Sequence, residues 1–116
     1  MPATSQIFAR DALAGRVVLV TGGGTNLGRQ AAIELVAAGA EVVIAGRREE
    51  VLAHAAAEIG ERCSCVPGDV REAADAARMV EFARERHGRL DVLDNNAGGQ
   101  YFAPAEDIVA KGWRAV

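Results

Sequence analysis

The stretch Arg16–Gly28, RVVLVTGGGTNLG, constrains the fold more than any other part of the chain. Val17, Val18, Leu19 and Val20 run apolar without alternation, which suits a strand buried on both faces of a parallel sheet. Thr21 and three glycines break the run. Beyond them Leu27, Ala31, Ala32, Leu35 and Val36 recur at helical spacing. A strand, a glycine turn and a helix in that order build an anion site. Free backbone N–H groups and the positive end of the helix dipole converge there, and glycine lets a phosphate come close.

The spacing of the glycines discriminates between patterns. G-x-G-x-x-G can be laid on Gly22 and Gly24 but fails at Leu27. T-G-x-x-x-G-x-G fits Thr21, Gly22 and Gly28, with Asn26 where the middle glycine is expected. Asn tolerates the left-handed conformation better than other non-glycine residues, so the turn is expected to survive. A glycine turn also occurs in plain strand–helix connections, and the rest of the chain has to decide.

Met1–Leu13 has no clear period, and residues 1–14 are read as a leader, either packed on the domain through Gln6, Ile7, Phe8 and Leu13 or loosely ordered. After the first helix come a strand over Glu41–Ala45, a helix over Glu49–Ile59 and a strand over Arg62–Val66. A long Ala-rich helix follows over Arg71–His87, with Ala73, Ala77, Val80 and Ala83 as its expected buried face. A fourth strand is predicted over Leu90–Asn95, a loop over Asn96–Gln100 and a further helical stretch over Pro104–Val116. Four short-linked strand–helix alternations predict an α/β fold with a doubly wound parallel sheet in the order 3-2-1-4. A ligand would then lie at the carboxyl edge, near the switch point between strands 1 and 4.

A chain of 116 residues suits one domain with one core. A net charge of −3 with both signs interspersed argues against nucleic acid or an anionic membrane as the main partner. No apolar run approaches the roughly 20 residues of a membrane-spanning helix, and no secretory h-region opens the chain; the expected location is the cytoplasm. Cys63 and Cys65 fall on one face of a strand, poorly placed for a disulfide, and read as small buried side chains. Two cysteines and two distant histidines make no metal cluster.

The second strand is followed by Gly46-Arg47-Arg48, about 25 residues after Gly22, near the offset at which dinucleotide folds read the adenosine ribose. An acid there favours NAD; here no carboxylate repels a 2′-phosphate, and two guanidiniums can hold one. Both also sit at a helix start, where a cation without a partner is disfavoured. The expectation is NADP(H) in preference to NAD(H). It also counts against a methyltransferase-like domain, which would want an acid at that place. Asp69-Val70 follows strand 3 on the same edge, where the carboxylate could accept from an adenine amino group, cap the next helix, or both. Asn95-Asn96-Ala97-Gly98 ends strand 4; an Asn can bond the sheet edge, and Ala97 and Gly98 leave room for a ribose.

T-G-x-x-x-N-x-G, G-R-R, D-V and N-N-A-G in this order resemble the N-terminal half of the short-chain dehydrogenase/reductase family, from Gly15 to Val116. SQIFARDALAGRVVLVTGGG and NNAGGQYFAPAEDIVAKGW look most like the branch of peroxisomal trans-2-enoyl-CoA and dienoyl-CoA reductases and their bacterial relatives. The resemblance implies a Rossmann-type domain over 15–116 that stops after about four strands. It implies a dinucleotide held by Gly22, Thr25, Asn26, Leu27, Gly28, Arg47, Arg48, Asp69, Val70, Asn95, Ala97 and Gly98. Hydride transfer to or from a carbonyl, an alcohol or an enoyl-CoA-type substrate is the implied chemistry, in a homo-oligomeric full-length parent. The family's Tyr/Lys pair, four residues apart, has no counterpart: Tyr101 is followed at that distance by Ala105, and Lys111 is the only lysine. No catalytic residue is therefore expected in this chain. A non-catalytic binding module or an inactive short product is the alternative. Asp94 also departs from the family, which is apolar just before N-N-A-G.

Overall fold

The computed structural model describes residues 5–116. Leu19 and Val43 lie against one face of the central sheet's packing, Val18, Val20, Val42 and Ile44 against the other. This is what uninterrupted β-branched runs achieve: successive side chains point to opposite faces, and both faces are dry. Four strands, β1 (Val17–Thr21), β2 (Glu41–Gly46), β3 (Cys63–Pro67) and β4 (Val92–Asp94), pair in parallel in the order β3-β2-β1-β4. The predicted α/β class and strand order are both observed.

Helices α1 (Asn26–Ala37) and α2 (Glu49–Ile59) supply one apolar layer, in which Ala32, Leu52, Ala55, Ala56 and Ile59 meet the even-numbered strand residues. Helix α3 (Ala73–His87) covers the opposite face through Met79 and Ala83, with Phe82 and Leu90 packed beside them. The buried stripe on α3 differs from the expected one. Ala83 is buried, but Ala73, Ala77 and Val80 are exposed, and Met79 takes the central place. An Ala-rich helix carries apolar residues on two neighbouring faces, and the bulkier one wins because it removes more area from water.

Two further boundaries differ. β4 has three residues, not six: Leu90 and Asp91 precede it, and beyond Asp94 the Asn96 N–H turns back onto the Asp94 carbonyl at 2.9 Å. The stretch after Pro104 divides into a 3-10 turn (Ala105–Asp107) and a short helix, α4 (Ala110–Ala115). Leu13, within the leader, packs on the α1/α2 layer and donates its N–H to Ala38 O at 2.8 Å, whereas Ile7 and Phe8 are exposed. Residues 1–4 of the leader lie outside the described residues.

β4 is tied to β1 from below by Asp91, whose carboxylate accepts the Val17 N–H at 2.8 Å and pairs with Arg89 and Arg16. Those contacts, Arg89 first, hold the Asp91 carboxyl below its usual range. Asp94 lies opposite Val20 in register and is half-buried, so this strand carboxylate keeps access to water. Cys63 and Cys65 are unbridged and both pack on the α1/α2 layer; burial pushes the Cys63 thiol up to about 12. No helix among the described residues is long and apolar enough to cross a membrane.

Candidate functional site

The carboxyl ends of the four strands open into a crevice of about 460 Å³, within the range of small-molecule sites. One wall is the turn from β1 into α1. Gly22 takes φ +65°, and a Cβ there would press on Asn96 and Ala97. Gly28 lies on the first turn of α1 directly beneath Gly22, where a Cβ would collide with the Gly22 carbonyl oxygen. Between them Asn26 adopts φ 49°, the left-handed conformation expected of it.

The start of α1 is left open to an anion. Thr25 makes no side-chain cap, and the first turn carries no acidic residue. The first helical N–H groups have no partner within the helix, and Thr25, Asn26 and Leu27 at this positive end of the helix dipole line the crevice. Thr21 is turned inward at 5% exposure; its hydroxyl donates to Asp94 O at 3.3 Å and accepts the Ala97 N–H at 3.0 Å. This pair of hydrogen bonds from one hydroxyl to the β4 terminus holds Ala97 and Gly98 at the crevice wall.

The opposite wall is built from the ends of β2 and β3. The Gly68 N–H reaches Gly46 O at 2.8 Å, and Leu52 and Val51 form the floor. Arg47 and Arg48 stand at the rim, exposed and without an ion-pair partner among the described residues. Asp69 is fixed from two directions. Its N–H donates to Asp75 Oδ2 at 2.8 Å, while its carboxylate takes the Arg71 N–H at 2.9 Å and the Arg71 guanidinium at 2.8–3.2 Å. The Arg71 guanidinium, then its backbone N–H, hold the Asp69 carboxyl low, at about 2. Asp69 therefore closes a short turn before α3 and does not cap it; Glu72 is the N-cap.

The sequence matches the family model for short chain dehydrogenases over residues 16–116. The chain belongs to the short-chain dehydrogenase family. Similar curated proteins include a peroxisomal 2,4-dienoyl-CoA reductase, (3E)-enoyl-CoA-producing, of Arabidopsis thaliana, 38% identical over 112 residues, 94% of this chain and 38% of that protein. A 3-oxoacyl-acyl-carrier-protein reductase of rhamnolipid biosynthesis from Pseudomonas aeruginosa is 39% identical over 106 residues, 90% of this chain and 41% of that protein. Among solved structures, a short chain dehydrogenase from Bacillus anthracis superposes with a TM-score of 0.79 at 40% identity, over 90% of this chain and 45% of the other. The chain thus spans about two fifths of the length of the curated relatives it matches. Short-chain dehydrogenases use NAD(P)(H).

Of the residues picked out by this family's motifs, Gly22, Thr25, Asn26, Leu27, Arg47, Arg48, Asp69, Val70, Ala97 and Gly98 line the crevice together. Gly28 lies beneath it as a spacer. Asn95 is exposed and does not line it; the neighbouring Asn96 does. No local signal separates the two adjacent asparagines: Asn96 reaches the crevice because its N–H turns onto the Asp94 carbonyl and its side chain bonds the Thr21 and Gly22 carbonyls. Arg71 and Arg114 also line the crevice. Arg71 stands two residues after Asp69 in the sequence and is not among the expected site residues. Arg114 had no local signal: it arrives from α4, where it bonds Arg71 O and Glu72. Tyr101 lines a separate cavity of about 320 Å³ with Ile108, Gly112 and Trp113. No group of three or more metal-ligating side chains comes together among the described residues.

Proposed function

We propose that these residues form the NADP(H)-binding part of a short-chain oxidoreductase. The whole protein would move a hydride between the nicotinamide and a carbonyl, an alcohol or an enoyl-CoA-type substrate. The observation that carries the cofactor preference is the Arg47–Arg48 rim at the β2 end, which has no ion-pair partner among the described residues and no carboxylate between the strand and Glu49. A 2′-phosphate would supply the partner those guanidiniums lack.

The other groups fall into place around that contact. The uncapped start of α1, at Thr25, Asn26 and Leu27, receives the pyrophosphate, with Gly22 and Gly28 keeping Cβ atoms out of its path. Asp69 and Val70 border the adenine, and Ala97 and Gly98 the second ribose. Asn96 replaces Asn95 as the asparagine that shapes this edge. The two curated relatives described above are named as reductases of acyl groups carried on CoA or on acyl-carrier protein, which favours an acyl thioester as the substrate class.

Titration calorimetry with NADPH and NADH tests the assignment. NADPH is expected to bind at least about tenfold tighter, since a charge-assisted contact contributes about 1.5–3 kcal/mol. Arg47→Ala should remove most of that advantage and leave NADH binding alone. Equal affinities in the unmutated protein, or no loss on mutation, would overturn it.

One observation favours a second reading for the 116 residues by themselves: binding without turnover. Tyr101, the single tyrosine, lines a separate cavity against Gly112 and has no lysine four residues on. NADPH oxidation over a panel of enoyl-CoA and carbonyl substrates should show no turnover above background.

A further inference from the structure

Four arginines, Arg47, Arg48, Arg71 and Arg114, line the crevice, with Asp69 as the one acidic side chain among the lining residues. How Asp69 is neutralised therefore decides how much positive charge the rim presents. Arg71 engages both carboxylate oxygens: Nε lies 3.1 Å from Oδ1 and 3.2 Å from Oδ2, and Nη2 lies 2.8 Å from Oδ2. The Arg71 N–H adds a fourth contact at 2.9 Å. Arg114 is turned away to Glu72 at 3.5 Å, and Arg48 and Arg47 have no carboxylate partner among the described residues.

We infer that Arg71 is a positioning residue for dinucleotide preference: by occupying both oxygens of Asp69, it keeps that carboxylate from pairing with Arg47 and from repelling a phosphate on the adenosine ribose. The inference rests on the proposed NADP(H) reading and extends it to a residue outside the β2 end. Its physical basis is competition for one cation. An unengaged Asp69 would be a free carboxylate lining the same crevice as the Arg47 guanidinium. It would offer Arg47 an intramolecular partner that a phosphate must displace. Its charge would also act on the phosphate itself across the crevice, where partial exclusion of water leaves such interactions less screened than on an open surface. The Arg47 charge already reaches Asp69, since it contributes to holding that carboxyl low. With Arg71 in place the Asp69–Arg71 pair is close to neutral, and Arg47 and Arg48 face the ribose with their charge undivided.

The test measures dissociation constants for NADPH, NADH, 2′,5′-ADP and 5′-AMP in the unmutated chain and in Arg71→Ala, Arg71→Gln, Asp69→Asn, Arg71→Ala/Asp69→Asn and Arg47→Ala. Both Arg71 replacements should weaken NADPH and 2′,5′-ADP roughly three- to tenfold and leave NADH and 5′-AMP within about twofold. Asp69→Asn keeps an acceptor oxygen and removes the charge, so the double variant should recover the lost preference. That recovery separates the inference from a merely structural role, which would weaken all four ligands alike and would not be rescued. It also separates it from direct contact of Arg71 with the phosphate, in which case the double variant would stay as weak as Arg71→Ala. Either of those results overturns the inference. A preference that falls in Arg47→Ala but is untouched in both Arg71 variants overturns the inference and leaves the NADP(H) reading standing. No preference in the unmutated chain overturns both.

Discussion

Asn96 joins the end of β4 to the turn after β1: its Nδ2 donates to the Thr21 carbonyl at 3.1 Å and to the Gly22 carbonyl at 3.2 Å. β4 contributes only three residues to the sheet, so this side chain extends the β1–β4 junction past the last ladder bond. It also sets the position of Gly22, and through it the stacking of Gly22 on Gly28.

Asn96→Ala should therefore destabilise the chain by about 1–3 kcal/mol, the usual cost of leaving part-buried carbonyls without a donor. Urea unfolding should show a lower midpoint with the same slope. A midpoint unchanged within error would mean that water replaces the amide at no cost.

Asn26 provides a test of backbone conformation alone. Its φ of 49° disfavours a Cβ-bearing residue that cannot bond locally, so Asn26→Ala should cost about 1–2 kcal/mol. Asn26→Gly should be about neutral, because glycine takes that conformation without a steric penalty. The two variants have nearly the same side-chain bulk at an exposed site, and thermal melts that fail to separate them would refute the strain argument.

The Asp69–Arg71 pair makes stability depend on pH in a defined direction. The folded carboxyl titrates at about 2, against its ordinary 3.8. Its contribution is complete above about pH 4 and is lost as pH falls through about 2. The stability difference between the unmutated chain and Asp69→Asn should shrink over that interval. The pair is exposed, so the difference at neutral pH should be small. A difference that grows on acidification would reverse the assignment.

β4 is one of the two edge strands of the sheet, and Val92 and Leu93 on it are 46% and 49% exposed. Unpaired N–H and C=O groups flanked by apolar side chains recruit other chains. The purified 116-residue chain should scatter light as oligomers at micromolar concentration. Leu93→Lys should lower that scattering, since a charged edge residue disfavours strand addition. A monodisperse monomer with cooperative melting would contradict the expectation.

Much of this architecture is decided locally. Val17–Val20 and Glu41–Ala45 can be buried on both faces only in a parallel sheet covered by helices, and short connections leave few ways to order the strands. The glycine turn, the Asn26 conformation and the Arg47–Arg48 rim follow from residue chemistry within a few positions of one another. What tertiary structure decided involves competition between near-equal local choices or partners far apart in the chain. Met79 prevails over Ala77 and Val80 on α3 because the sheet surface, not the helix, selects the face. Asn96 prevails over Asn95 because the chain turns at Asp94 and only then reaches Thr21, 75 residues back. Arg114 joins the crevice from 43 residues beyond Arg71, and no periodicity records a contact at that range.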